Sequence, residues 1–223
     1  MNREWSELNR TMQTQLKKRE TCAAGIASLF DLRDRLMKSL LSLQKELSRE
    51  DFNAIPFLNA NGYHNKTIAY SLWHIFRIED IIAHTLINGD DQVFFTGNYR
   101  ERIHSPIITT GNELVKRQIA DFSAQLNLQA LFAYILEVKG STEEIVRGLS
   151  YGELTRKISV ERKELLKSLQ VVSADENAAW LIDYWCGKDV RGLIQMPFSR
   201  HWIMHTEACL RIKNRIRPQP QTR

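Results

Sequence analysis

The sequence predicts an all-α protein, a four-helix bundle with long crossover connections and additional short helices. Apolar residues recur three and four positions apart along most of the chain, the spacing that gathers them on one face of a helix. Turn-forming residues are scarce, with 10 glycines and 5 prolines among 223 residues, whereas sandwiches and barrels need frequent turns. Four long amphipathic segments joined by long connections pack most simply as a bundle.

The first half of the chain predicts three helices. Residues 1–21 carry a narrow apolar stripe and form a helical extension. Residues 22–48 carry a broader apolar face, and Thr21 is the expected N-cap of this first long helix. After a linker that contains Pro56 and continues to residue 62, a second long helix runs from about residue 66 to 87 and stops at Gly89.

The second half predicts a loop and two further long helices. Residues 88–112 show little periodicity and read as a long functional loop. A third long helix spans about 113–149, with a kink near Gly140. Residues 152–193 predict shorter helices, one starting near Asp175 and one ending near Gly187. The last long helix begins near Pro197, because proline suits a first helical turn.

These elements divide the chain into an N-terminal extension (residues 1–21), a helical bundle domain (22–217) and a disordered basic tail (218–223). The net charge of +5 is a mild basic excess, so a nucleic-acid partner is not expected. Three cysteines without paired spacing indicate a reducing compartment. Neither a leader segment nor an apolar run of membrane-spanning length is visible, so we expect a cytoplasmic protein without a membrane partner.

Three histidines are the candidate metal ligands. His201 and His205 lie four residues apart in the last helix, so they share one face. A helical projection places His74 on the inward face of the second long helix and His84 on its outward face. Neutral imidazoles in an apolar core carry a desolvation cost, which one shared divalent cation would remove. The residues alone leave open that each imidazole is satisfied separately by a hydrogen bond.

Other potential ligands are set aside. Cys209 lies eight residues after His201, which is about 12 Å along a helix axis, so both cannot reach one ion together with His205. Cys209 is therefore expected in the core. His64 and His104 fall in predicted loops, where solvated histidines are common.

The segments around the candidate ligands resemble the DinB-like (DinB/YfiT) family of bacterial four-helix-bundle metalloenzymes. The likeness covers about residues 22–216. It is carried by residues 71–80 (SLWHIFRIED) in the second long helix and residues 200–205 (RHWIMH) in the last. The helix end at residues 87–89 and the turn at residues 110–111 are similar to the family as well.

The resemblance implies one divalent ion, zinc or nickel, held by His74, His201 and His205, and it implies a homodimer. It also implies a low-molecular-weight thiol, such as bacillithiol or mycothiol, as a co-substrate. In some members a carboxylate replaces one histidine of the final pair. Here both positions are histidine, so the protein leaves the +2 charge of the ion unneutralised, and a thiolate or hydroxide ligand would offset it.

The leading hypothesis is a divalent-metal-dependent thiol S-transferase, in which a bacillithiol-like thiol attacks a small-molecule electrophile. We expect residues 88–112 and 179–188 to form the pocket. No general base stands out, and Glu79 and Asp80 are the carboxylates considered for that role. Two alternatives stay open: a metal-activated hydrolase with bound hydroxide as its nucleophile, and a non-catalytic metal-binding stress-response protein.

Overall fold

The computed structural model describes residues 2–60 and 64–218. The end of the predicted linker, at residues 61–62, and most of the predicted basic tail, at residues 219–223, lie outside the described residues. Over the described ranges the chain is helical and contains no strand, which confirms the predicted all-α class. None of these helices combines the length and apolar character that a membrane crossing requires. The elements are α1 (Arg3–Gln15), α2 (Cys22–Glu46), α3 (Arg49–Asn53), α4 (Ile68–Asp80) with a π-helical continuation (Ile81–Asn88), α5 (Val93–Thr96), α6 (Tyr99–Ile103), α7 (Arg117–Gln125), α8 (Leu128–Gly148), α9 (Val160–Ser168), α10 (Glu176–Cys186), α11 (Val190–Gln195), a π segment (Met196–Arg200) and α12 (His201–Ile216).

The long helices pack against one another in a ring. Helix α4 contacts α8 and α12, α12 contacts α2, and α2 contacts α8. Helix α1 packs along α2 and buries Trp5 and Met12. The core between the four long helices is therefore made from segments that are far apart in the sequence.

The predicted ends of the first two long helices agree with the structure. Helix α2 begins at Cys22, directly after Thr21. The Thr21 hydroxyl does not cap the helix, however, and donates to the Gln15 carbonyl instead. The π-helical continuation of α4 ends at Gly89, whose φ of 87° is the left-handed conformation that glycine adopts at little cost.

The prediction of one long loop over residues 88–112 is wrong in part, because α5 and α6 lie within it. The Asp80 carboxylate accepts the backbone N–H groups of Val93 and Phe94, each at 2.9 Å. This buried side chain satisfies amides at the start of α5 that have no partner within the helix. A hydrophobic-pattern argument cannot detect a cap supplied from another helix.

The predicted third long helix is two helices, α7 and α8. The break falls at Asn127, whose side chain accepts the N–H of Ala130 and caps α8. Helix α8 is continuous through Gly140, the position of the predicted kink. Asparagine is a strong N-cap residue, so a new helix starts after Asn127 although the apolar periodicity continues from α7 into α8.

The last long helix, α12, begins at His201, four residues after the predicted start at Pro197. Pro197 lies in the first turn of a π segment that joins α11 to α12. Proline has no N–H and its ring crowds the preceding turn of a regular helix, which a wider π turn accommodates. The Ser199 hydroxyl lies within hydrogen-bond distance of the Ile194 and Gln195 carbonyls, at 3.2 and 2.9 Å.

The prediction that His84 faces outward is wrong. His84 is buried, and its two ring nitrogens lie 2.8 Å from the Asp90 carboxylate and 3.0 Å from the Ser141 hydroxyl. Arg77 and Asp80, which share that face, are also buried. Helix α4 lies at the centre of the protein, so the face opposite the apolar stripe is covered by protein instead of solvent.

A buried ion pair joins the long helices. The Arg33 guanidinium of α2 donates to both oxygens of Glu79 on α4, at 2.7 and 3.0 Å. It also donates to Glu143 on α8 at 3.0 Å and to the Phe198 carbonyl in the π segment at 3.2 Å. The Trp202 indole of α12 donates to Glu79 at 2.6 Å. Five segments of the chain therefore meet at one pair of side chains.

We predict that Arg33→Met lowers the free energy of unfolding by about 3–5 kcal/mol, because it leaves the Glu79 carboxylate buried without its cation. The measurement is urea unfolding followed by circular dichroism. Arg35→Met is the matched control, since the exposed ion pairs of Arg35 with Asp31 and Glu4 contribute little to stability. Equal losses in the two variants would contradict the prediction.

Candidate metal centre

The structure brings the three predicted histidines together. One ring nitrogen from each of His74, His201 and His205 can be chosen so that all three lie within 4.8 Å of one another. The ring centroids are 5.0 Å apart for His74 and His201, 4.9 Å for His74 and His205, and 4.5 Å for His201 and His205. All three side chains are buried, with 5–9% of each residue exposed.

The three histidines fit the demands of a divalent ion. Nitrogen donors at about 2.1 Å from a tetrahedral zinc lie roughly 3.4 Å apart, so small rotations of the imidazoles complete the set. The Nδ1 of His201 is buried and has no hydrogen-bond partner among the described residues. A buried imidazole nitrogen without a partner carries a desolvation cost, which a bond to a metal would offset. The cluster could therefore bind a metal ion.

The π segment sets the position of His201. The His201 N–H bonds to the carbonyl of Met196, five residues earlier, instead of the usual four. Helix α12 then starts at His201 and places His205 one turn further along the same face. The Arg33 bond to the Phe198 carbonyl fixes the π segment from the side of α2. Pro197, which the π segment accommodates, thus lies four residues before His201.

His74 is oriented by the turn at residues 110–111. Its Nδ1 lies 2.9 Å from the Thr110 carbonyl, which can only accept, so Nδ1 carries the proton and Nε2 is left for an ion. The Tyr70 ring stacks on His74 at 5.5 Å and donates its hydroxyl to the Gly111 carbonyl at 2.9 Å. Gly111 has a φ of 77°, and a Cβ there would come within 3.0 Å of the Tyr70 ring.

Burial keeps the three imidazoles neutral. Desolvation lowers the pKa of His74 from 6.5 to about 4. Desolvation, followed by the charge of neighbouring histidines, holds the pKa values of His201 and His205 well below the ordinary value. Neutral imidazole is the form that binds metals, so the site is competent at neutral pH without losing protons.

Two cavities open onto the histidines, and together we call them the cleft. The first, which we call the aromatic arm, has a volume of about 240 Å³. Its walls are His74, Ile78, Asn112, Trp180, Leu181, Tyr184, Trp185, Met196, Pro197 and His201. The second, the polar arm, has a volume of about 410 Å³. Its walls are Lys66, Tyr70, His74, Asn112, Leu114, Val115, Asn177, Trp180 and His205. The arms share His74, Asn112 and Trp180, so they meet beside the histidine cluster.

The predicted pocket segments contribute unequally. Helix α10 supplies aromatic walls from residues 179–188, as expected. Residues 88–112 supply mainly Asn112 and the Thr110 carbonyl, because most of that segment packs on α4 and α8. The sequence argument missed Lys66, Tyr70 and Met196. The spacing of Lys66 and Tyr70 from His74 on one helix was the signal that could have found them.

The carboxylates considered as a general base do not line the cleft. Glu79 is held by Arg33 and Trp202, and Asp80 accepts the hydroxyl of Tyr134 at 2.8 Å in addition to backbone amides. The prediction that either carboxylate serves the site is therefore not supported by its position.

The residues set aside as ligands lie outside the cluster. Cys209 is buried, and burial raises the pKa of its thiol to about 12, with a hydrogen bond to Ser71 opposing this. His104 is exposed, as predicted. His64 is half-buried and lies 3.4 Å from the Arg211 guanidinium.

No family model matches the chain, and no curated protein sequence matches it. The DinB-like resemblance, the homodimer and the domain division therefore stay predictions.

We predict that the metal-free protein loses stability as the pH falls from about 7 to about 4. The unfolded chain protonates His74 below pH 6.5 whereas the folded chain resists until about pH 4, so protons favour unfolding across this window. His74 alone accounts for about 3 kcal/mol. Urea unfolding of the chelator-treated protein across this pH range measures the slope. His74→Gln should reduce the slope, to which His201 and His205 still contribute, and an unchanged slope would contradict the assignment.

Proposed function

We propose that the protein is a divalent-metal-dependent thiol S-transferase of the DinB-like type. The observation that carries this proposal is the cluster of His74, His201 and His205, with their donor nitrogens within 4.8 Å of one another. Three protein ligands leave at least one position open for substrate, as in catalytic rather than structural sites. The cleft gives a small molecule access to that position.

The fold supports the same proposal. The ring of contacts among α2, α4, α8 and α12 is what a four-helix bundle requires, with α5–α7 and α9–α11 as long crossover connections. The three cysteines in the described chain are free, which suits the reducing cytoplasm that a thiol co-substrate needs. Zinc and nickel both accept imidazole ligands, so both remain within the proposal.

The bound ion would lower the pKa of a coordinated thiol and hold it as the thiolate. The chain contributes positioning. His74 is fixed by Thr110 and Tyr70, and the final pair is fixed by the π segment. In the transfer, the thiolate sulfur forms a bond to an electrophilic carbon, and the leaving group departs with the electron pair of the broken bond. The leaving group then takes up the proton that the thiol released, so that atoms and charge are conserved.

The walls of the cleft favour thiol transfer over hydrolysis. No aspartate or glutamate is among the described residues that line either arm, so a water molecule has no carboxylate base beside it. A thiol needs none, because its pKa of about 8.5 is already close to neutral. The aromatic arm offers apolar surface on the scale of an organic electrophile.

We predict one divalent ion per chain, bound with an affinity that depends on all three histidines. His201→Ala should abolish stoichiometric metal, because two imidazoles alone hold the ion weakly. Elemental analysis after gel filtration measures the ratio. His104→Asn is the control, since this exposed residue has a φ of 60°, which asparagine tolerates. Full metal retention in the His201→Ala protein would refute the site.

We also predict that thiols bind directly to the ion. With cobalt in place of the native metal, a thiol should produce an intense sulfur-to-metal charge-transfer band and release one proton near neutral pH. The titration follows the band and the proton together. If small anions perturb the cobalt spectrum and thiols do not, the hydrolase alternative is preferred. If neither does, the ion is structural.

A further inference from the structure

Lys66 places a positive charge in the polar arm of the cleft. It lies just before Thr67, the N-cap of α4, and eight residues before His74. Its side chain lines the same cavity as His74 and His205. The ammonium lies 5.1 Å from the centre of the Tyr70 ring, which in turn stacks on His74. One aromatic ring therefore separates this cation from a proposed metal ligand.

Among the described residues, no aspartate or glutamate forms an ion pair with Lys66, and none lines the polar arm. Lys66 is half-buried, and desolvation lowers its pKa. Burial is the main cause that lowers the pKa values of His74 and His205, and the positive charge of Lys66 lowers them further. A partly desolvated cation without a partner is costly unless a ligand supplies the counter-charge.

A divalent ion on three neutral histidines would add to this imbalance. The cleft would then hold an ion and an ammonium with no protein carboxylate on its walls. Attraction between opposite charges strengthens as water is excluded, so an anion bound between them gains more than it would at the surface. A thiolate balances one charge of the ion, and the charge of Lys66 still lacks a counterpart.

We propose that Lys66 binds a carboxylate group of the thiol substrate in the polar arm, while the electrophile occupies the aromatic arm. This rests on the proposed thiol S-transferase function and assigns the two substrates to the two arms of the cleft. A single ammonium in a cavity that Asn112 and Asn177 also line suits a carboxylate. Phosphate sites more often present arginine forks or arrays of backbone N–H groups.

The test compares two thiols of equal size, mercaptopropionate and its uncharged amide. Each is titrated into the cobalt-loaded protein while the charge-transfer band is followed. The wild-type protein should bind the acid about tenfold more tightly than the amide, as expected for one charge-assisted hydrogen bond in a half-exposed site. Lys66→Met should remove this preference by weakening the acid alone.

Two variants serve as controls. Lys66→Arg keeps the charge and should retain most of the preference for the acid. Lys38→Met makes the same substitution at an exposed position of α2 and should change neither affinity. The cobalt content of each variant is measured first, because the assignment requires that Lys66→Met keeps its stoichiometric metal.

The outcomes separate the two proposals. If the wild-type protein binds no cobalt, or no thiol perturbs the cobalt spectrum, the proposed function fails. If both thiols bind and Lys66→Met weakens them equally, or weakens neither, the transferase proposal stands and the carboxylate site is refuted. Loss of cobalt in Lys66→Met would also refute it, since the residue would then support the metal site itself.

Discussion

The ion pair between Arg33 and Glu79 fixes the rotation of the helices that carry the three histidines. Glu79 lies on α4 five residues after His74, and it accepts the indole N–H of Trp202, the neighbour of His201. A rotation of α4 or α12 that moved the imidazoles apart would also pull Glu79 from its donors. Because a buried carboxylate without partners is strongly unfavourable, the geometry of the metal centre is secured by a contact that does not touch it.

The same arrangement carries a cost in the metal-free protein. Three neutral imidazoles are buried side by side. Their pKa values are low because burial destabilises the charged form of each imidazole. An ion that binds only the folded chain would repay this cost and stabilise the protein by mass action. Metal binding would therefore be coupled to folding through the histidines, while the ion pair of Arg33 and Glu79 holds α2 and α4 together without the ion.

Helical periodicity was enough to find the three histidines, because their inward faces follow from the positions of neighbouring apolar residues. It failed for His84, since a projection assumes that the face opposite the apolar stripe meets solvent, and α4 is covered there by protein. The break at Asn127 and the π segment at Pro197 were missed for a different reason. Each depends on a specific hydrogen bond or a missing N–H, which a pattern of apolar residues does not encode.

The cleft separates the groups that would bind the ion from those that would select its substrates. The ligands lie on α4 and α12, which pack on each other in the core, whereas most of the aromatic wall lies on α10, which packs on α9. Trp180 and Tyr184 on α10 are 52% and 37% exposed, so the core does not depend on their size. Substitutions there can reshape the aromatic arm while Arg33, Glu79 and the histidines stay in place. Under the proposed function, substitutions in α10 would change the choice of electrophile without altering the three histidines.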